Sequence, residues 1–381
     1  MRVLILDTYY PAFLAAHYAE HPGLAAAPYG EQLQSLIDRG FGTSDTYSHY
    51  LRRHGHEARD TVVNCLELQR AWAREYGSAI GALLGPPASA RTGLGKAARH
   101  ALLHVVAHAQ IRAFRPDVVY IQDLWFFSRR ELDMLRRRGT FVAGQIASPP
   151  PPKEILHGYD LLLTSFPHFV KRFRRLGVDS EYLKIAFDGR VCDRLRARHV
   201  DTAPGSTRPY GATFVGGVNP GVHPQGTRLL EEVARTTRLE VWGYGAEALD
   251  AESPLRSGHN GEAWGLDMFA ILADSKIAVN RHIAAAEGHA NNMRLYEATG
   301  TGALLLTDRG SNLPDLFEPG REVVVYDDVV DLVAKVRHYL EHDTERVAIA
   351  AAGQERTLRE HTYERRIGEL SRMLEARLLG R

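Results

Sequence analysis

Two successive series of short apolar runs, each separated from the next by a longer stretch of helical character, limit this chain to parallel β-sheets covered by helices. The first series is Arg2 to Leu6, Val118 to Gln122, Thr140 to Gly144 and Asp160 to Thr164. The second is Ala212 to Val215, Leu239 to Trp242, Lys276 to Asn280, Ala303 to Thr307 and Glu322 to Tyr326. The runs lack strict alternation of apolar and polar residues, so the strands are expected to be buried on both faces, as in α/β folds. A chain of 381 residues exceeds one ordinary core and suits two domains of about 150–200 residues.

Turn formers without periodic apolar residues fill 201–209, which marks the expected linker. The expected division is therefore 1–205, 206–361 and a closing helix over 362–381. That helix carries Ile367, Leu370, Met373, Leu374 and Leu378 on one stripe, which needs a partner surface. The stretch from Gly77 to Gly95 reads as a surface connection, and Pro149 to Pro152 as an extended, rigid loop.

Composition narrows the partners. Forty-seven Lys and Arg against 46 Asp and Glu leave a formal charge of +1, which supplies no field for nucleic acid or for a membrane surface. Any affinity for phosphate must then be local. No apolar run reaches the ~18 residues of a membrane span, so a cytoplasmic address is expected, with peripheral membrane contact as the remaining option. Cys65 and Cys192 are the only cysteines; they build no disulfide framework and are expected to be reduced, buried thiols. No spacing of Asp or His suits a divalent metal, so no metal and no cofactor are expected.

The chemistry concentrates in Gly288-His289-Ala290-Asn291-Asn292-Met293-Arg294-Leu295-Tyr296-Glu297, followed by Gly300, Gly302 and a strand. A helix opening near Asn291 or Asn292 presents free N–H groups and the positive end of its dipole, here including Met293, to an anion such as a diphosphate. Glu297, one to two turns in, can accept two hydrogen bonds from the diol of a ribose. Upstream, Gly216 and Gly217 end one strand and Gly243 another, where glycine permits close approach to phosphate and Tyr244 offers a ring to a base. Arg228 and Arg294 are the candidate cations for a leaving diphosphate. His282 and His289 are the histidines nearest this stretch. In the first half, Tyr9, Asp123, Gln145, Ser148 and His168 follow strand ends and are the candidates for binding an acceptor.

These motifs resemble the CgeB-type glycosyltransferases of the GT-B clan. The resemblance is densest from Trp264-Gly265-Leu266-Asp267-Met268 through Asn280-Arg281-His282 and Asn292-Met293-Arg294-Leu295-Tyr296-Glu297 to Asp315-Leu316-Phe317-Glu318-Pro319-Gly320 and His361-Thr362-Tyr363. It implies two Rossmann-like domains facing a central cleft, a nucleoside diphosphate sugar held by the second, and a final helix that returns to the first. It also implies a metal-independent transfer of a sugar, a hexose or a related one, to a saccharide, a lipid-linked glycan or a small molecule. Retaining relatives carry a glutamate eight positions before the ribose-binding one; here that position is His289. The clan's acceptor-side histidine would fall in 145–148, which holds none.

Two other readings fit the same residues. A nucleotide-sugar epimerase or hydrolase of the same fold would release free sugar without an acceptor. A non-catalytic module would bind nucleotide sugar or glycan and turn nothing over. A Rossmann dehydrogenase fits poorly, because Asp7-Thr8-Tyr9-Tyr10-Pro11 follows the first strand where a Gly-x-Gly-x-x-Gly turn belongs.

Overall fold

The computed structural model describes residues 1–77 and 93–380; most of the connection expected between Gly77 and Gly95 lies outside them. The chain divides into two units, 1–183 with 367–381, and 184–366.

The first unit holds six strands: β1 (Arg2–Asp7), β2 (Glu57–Val62), β3 (Val118–Ile121), β4 (Phe141–Ile146), β5 (Leu161–Thr164) and β6 (Ser180–Tyr182). They form one parallel sheet in the order β2-β1-β3-β4-β5-β6. The central strands are buried on both faces, and Val3 to Leu6, Val118 to Ile121 and Leu161 to Leu163 make its core. β2 and β6 escape the sequence pattern for a physical reason. Both are terminal in the sheet, so Glu57, Arg59 and Asp60 in β2 and Glu181 in β6 need not be apolar.

The second unit holds β7 (Tyr210–Val215), β8 (Leu239–Trp242), β9 (Ser275–Val279), β10 (Leu304–Asp308) and β11 (Val324–Tyr326). These are parallel in the order β11-β10-β9-β7-β8. Ala212, Val241, Ile277, Leu304 and Leu306 line its core, which helices 224–236 and 329–341 help to cover.

The boundary falls near residue 183, about twenty residues before the expected linker. The stretch 201–209 lies inside the second unit, because Arg208 is buried there and collects carbonyl groups. Its guanidinium donates to Ser275 O at 3.0 Å, Thr301 O at 3.1 Å and Ala203 O at 3.1 Å. Phe187 accounts for the residues before it: its ring fills the space a Cβ at Gly300 would need, and its N–H donates to His361 O at 2.8 Å. Both cysteines are free thiols; Cys65 is buried, whereas Cys192 is only partly so.

Residues 367–381 belong to the first unit. Ile367, Leu370 and Leu374 are fully buried, the Ser371 hydroxyl lies 2.6 Å from His56 Nε2, and Arg377 pairs with Asp179 and Glu181 at 2.7 and 2.9 Å. Burying each of the three aliphatic side chains contributes about 1.5–3 kcal/mol. Deleting 364–381 is therefore expected to lower the unfolding midpoint sharply and to cause aggregation. A truncated protein with an unchanged midpoint and a monodisperse sizing profile would contradict this packing.

Candidate active site

In the second sheet the chain runs from β7 outward to β8, then crosses back to β9 on the other side of β7. The carboxyl ends of β7 and β9 thus form the topological switch point, where open α/β sheets leave a crevice for ligands. Gly216 and Gly217 follow β7, and Asn280, Arg281 and His282 follow β9.

Arg281, which its sequence context marks only as part of the Asn280-Arg281-His282 motif, bridges this crevice. Its Nη2 donates to Gly217 O at 3.1 Å and its guanidinium carbon sits 5.6 Å from the centre of the Phe214 ring. It lies on the first turn of helix 224–236, where a Cβ at Gly226 would come within 2.1 Å of Cζ. Glycine at 226 is required for the arginine to lie there. Burial lowers the Arg281 pKa, its Nε is buried without a hydrogen-bond partner, and no carboxylate among the described residues pairs with it. A half-buried cation that makes no ion pair, with Asp308 the one carboxylate whose charge reaches it, is costly by itself. An anion at the switch point would supply both the charge and the missing acceptor.

The glycine turns pack against each other. Gly216 N–H donates to Trp242 O at 2.9 Å and Val218 N–H to Tyr244 O at 3.0 Å. Gly243 has φ +146°, and a Cβ on it would lie 1.9 Å from Gly216 O. Glycine at 243 is thus required by the packing between the two turns. Tyr244 covers Gly217 and stacks on Trp264, with ring centres 5.8 Å apart and planes 8° from parallel. Trp264 is a second aromatic at the site, brought there by a contact across twenty residues that the sequence does not reveal.

The helix Met293–Gly300 begins as expected. Asn292 is its N-cap and accepts from Leu295 N–H at 3.3 Å, while its amide donates to Asn280 Oδ1 at 2.8 Å and Arg281 O at 3.2 Å. The helix start is thereby tied to the end of β9. Asn291 is buried, and its Oδ1 accepts from Tyr296 O–H at 2.8 Å, so its side chain braces the turn.

Glu297 is 5% exposed and pairs with Arg294, Nη1 to Oε2, at 2.8 Å. Arg294 Nη2 also donates to Val215 O at 3.0 Å, and Nη1 lies 3.2 Å from Met268 Sδ. Burial raises the Glu297 pKa and the Arg294 charge opposes it. The charge of Arg294, expected to serve the leaving diphosphate, is already matched; it holds Glu297 at the end of β7. Arg228, the other cation expected there, is exposed on helix 224–236.

His282 is a brace. Its Nδ1 lies 2.7 Å from Asp308 Oδ1, and its Nε2 accepts from Asn291 N–H at 3.3 Å. The neutral, Nδ1-protonated ring satisfies both bonds. Burial pushes the Asp308 pKa up, but hydrogen bonds from the His282 ring and backbone N–H outweigh it and hold the group below its ordinary value. His289 Nδ1 donates to the Ala286 and Glu287 carbonyls, both at 3.2 Å, within the preceding turn. Among the described residues, no three His, Cys, Asp or Glu side chains converge as metal ligands do.

The first sheet has its own switch point, between β1 and β3. Thr8 Oγ1 donates to Asp123 Oδ2 at 3.0 Å, and Trp125 N–H donates to Asp123 Oδ1 at 3.0 Å. The ring of Tyr9, expected here, turns instead into the core against Phe41 and Phe13, at 4.8 and 5.7 Å; Tyr10 and Trp125 are the exposed aromatics. Gln145 Oε1 is occupied by the Tyr47 and Tyr120 hydroxyls, both at 2.5 Å. Ser148 is exposed, and His168 packs partly buried beside Phe166 and Phe169.

Burial, reinforced by the Asp123 charge, raises the Asp7 pKa to about 7. A carboxyl raised in the folded state contributes stability that is complete below its unfolded pKa and is lost as pH rises through the folded value. The unfolding temperature is expected to fall between about pH 5 and pH 8, with a shallower fall in Asp7→Asn. Equal slopes in the two proteins would remove Asp7 as the cause.

Residues 225–372 match a family model described as glycosyl transferase-like. The sucrose-phosphate synthase of Thermosynechococcus elongatus superposes on 99% of this chain and 100% of its own, with a TM-score of 0.57 and 13% identity. The fold is that of the GT-B glycosyltransferases. Anabaena HepE in complex with UDP-glucose shares this GT-B fold over 99% of this chain and all of its own (TM-score 0.56, 12% identity). AviGT4, a glycosyltransferase involved in avilamycin A biosynthesis, does so over 100% and 99% (TM-score 0.55, 13% identity). No curated protein sequence matches the chain. Among the described residues, no helix is long and apolar enough to cross a membrane.

Proposed function

We propose that this chain is a metal-independent glycosyltransferase of the CgeB type, moving a hexose or related sugar from a nucleoside diphosphate to a hydroxyl acceptor. The observation that carries the reading is Arg281, a half-buried cation at the β7/β9 switch point whose Nε has no hydrogen-bond partner and which pairs with no carboxylate among the described residues. A diphosphate would satisfy it together with the free N–H groups at the start of helix 293–300. Glu297 would accept from the ribose hydroxyls through Oε1, which takes no hydrogen bond from a described residue, and the base would lie beside the Tyr244 and Trp264 pair. HepE binds UDP and UDP-glucose, which makes the uridine nucleotides the first donors to try.

In the proposed reaction the bond between the anomeric carbon and the diphosphate oxygen breaks, its electron pair leaving with the diphosphate. A bond forms from that carbon to the acceptor oxygen, which gives up its proton to water. Negative charge grows on the leaving group, and a fixed cation with preset N–H groups stabilises it without reorganisation. The acceptor is a saccharide, a lipid-linked glycan or a small molecule, with Asp123 and its neighbours in the first unit as candidate contacts, and the setting is cytoplasmic.

The test is to incubate the protein with labelled nucleotide sugars and candidate acceptors, with and without excess EDTA. Labelled glycoside should form at equal rates in both arms. Activity abolished by the chelator and restored by Mn²⁺ or Mg²⁺ would overturn metal independence, and free sugar as the sole product would overturn transfer.

A further inference from the structure

A cavity of about 400 Å³ lies in the first unit beside β2, within the ~300–1,000 Å³ range of small-molecule sites. Asp7, Thr8 and Asp123 do not line it. Arg59, Asp60 and Thr61 all do, and successive strand residues point to opposite faces. The cavity therefore wraps the free edge of a terminal strand.

Two of its lining residues each carry a buried polar atom without a partner among the described residues. Gln110 is 5% exposed; its Oε1 accepts from Thr61 Oγ1 at 3.4 Å, and its amide Nε2 is buried without a partner among the described residues. Asp60 Oδ1 is buried and unpartnered in the same way. Leaving such groups unsatisfied costs about 1–3 kcal/mol each, so the cavity calls for a ligand that accepts from one and donates to the other. A hydroxyl group does both. Burial pushes the Asp60 pKa up to about 7, which suits an uncharged partner. Trp72 and Tyr76 add aromatic surface, their ring centres 5.6 Å apart, and Tyr76 is 66% exposed.

We propose that this cavity is a second ligand site, for a neutral mono- or disaccharide, with sugar hydroxyls on Gln110 and Asp60 and an apolar sugar face against Tyr76 and Trp72. The site is separate from the switch point of either sheet and carries no reacting group. It holds a carbohydrate without transforming it.

The experiment is titration of the full chain, without nucleotide, with glucose, galactose, mannose, N-acetylglucosamine, sucrose and maltose, followed by calorimetry or ligand-observed NMR. At least one sugar should bind saturably with Kd about 1 mM or tighter. Gln110→Met and Tyr76→Ala should each weaken it at least about tenfold, while Arg281→Met, altered only in the second unit, should bind it unchanged. Tyr76 is exposed, so its replacement keeps the test open if the Gln110 variant folds poorly. Absence of saturable binding to every sugar, or affinities equal in wild type and both cavity variants, would overturn the proposal. Diphosphate binding weakened in Arg281→Met with sugar binding retained separates this site from the donor site.

Discussion

Replacing Glu297 with alanine is expected to cost the second unit stability as well as nucleotide affinity. Alanine is the best helix former, and from the sequence alone the exchange looks harmless to the fold. The structure reverses that expectation, because Glu297 is buried in an ion pair with Arg294 at 2.8 Å. Removing one member of such a pair leaves the other charge uncompensated, at a cost of about 3–5 kcal/mol. Glu297→Gln keeps the volume and a hydrogen-bond acceptor, so it separates the two effects. It should lose less stability than alanine, yet still lose the charge-assisted bonds to a ribose, worth about 1.5–3 kcal/mol, or about ten- to hundred-fold in affinity. Part of that binding energy positions the transition state, so turnover should fall too. Unfolding curves and donor titrations of both variants check this. Full donor affinity in Glu297→Gln would confine Glu297 to the ion pair.

Arg281→Met should do the opposite, sparing the fold and removing turnover. Arg281 has no carboxylate partner among the described residues, so its loss strands no counter-charge, and the thioether stem still covers Gly226 and Phe214. The lost bond to Gly217 O and the relieved burial of a cation have opposite signs, leaving a net change within about 1 kcal/mol. The rate of transfer should drop about 10²–10³-fold, the usual effect of removing one donor aimed at developing negative charge. The effect should fall more on kcat than on KM, since the charge grows as the bond breaks. Steady-state kinetics beside thermal unfolding read both. A stable variant with wild-type kcat would remove Arg281 from the chemistry.

Much of this architecture is legible in the sequence because it rests on burial. The second sheet's five strands all show as apolar runs, and the Asn292 cap and helix 293–300 follow from local chemistry. What is not legible depends on partners distant in sequence. Arg294 and Arg281 look alike as isolated arginines; only the fold gives one Glu297 and leaves the other without a carboxylate. That Gly243 must be glycine for packing shows only once Gly216 O is found where its side chain would be. Tyr9 and Tyr10 are adjacent, and only the packing around Phe41 decides which of them enters the core. Arg281 leaves one trace in the sequence, since it stands two residues past the end of β9 and immediately before the candidate His282.

The most direct test of a diphosphate site at the β7/β9 strand ends is calorimetric titration of UDP, GDP, dTDP, ADP and the matching nucleosides into wild type and Arg281→Met. One diphosphate should bind wild type at least about tenfold more tightly than its own nucleoside, and that advantage should largely vanish in the variant, because it resides in the charge-assisted contact. Identical affinities of that nucleotide for the two proteins, or no preference for diphosphate over nucleoside, would contradict the account.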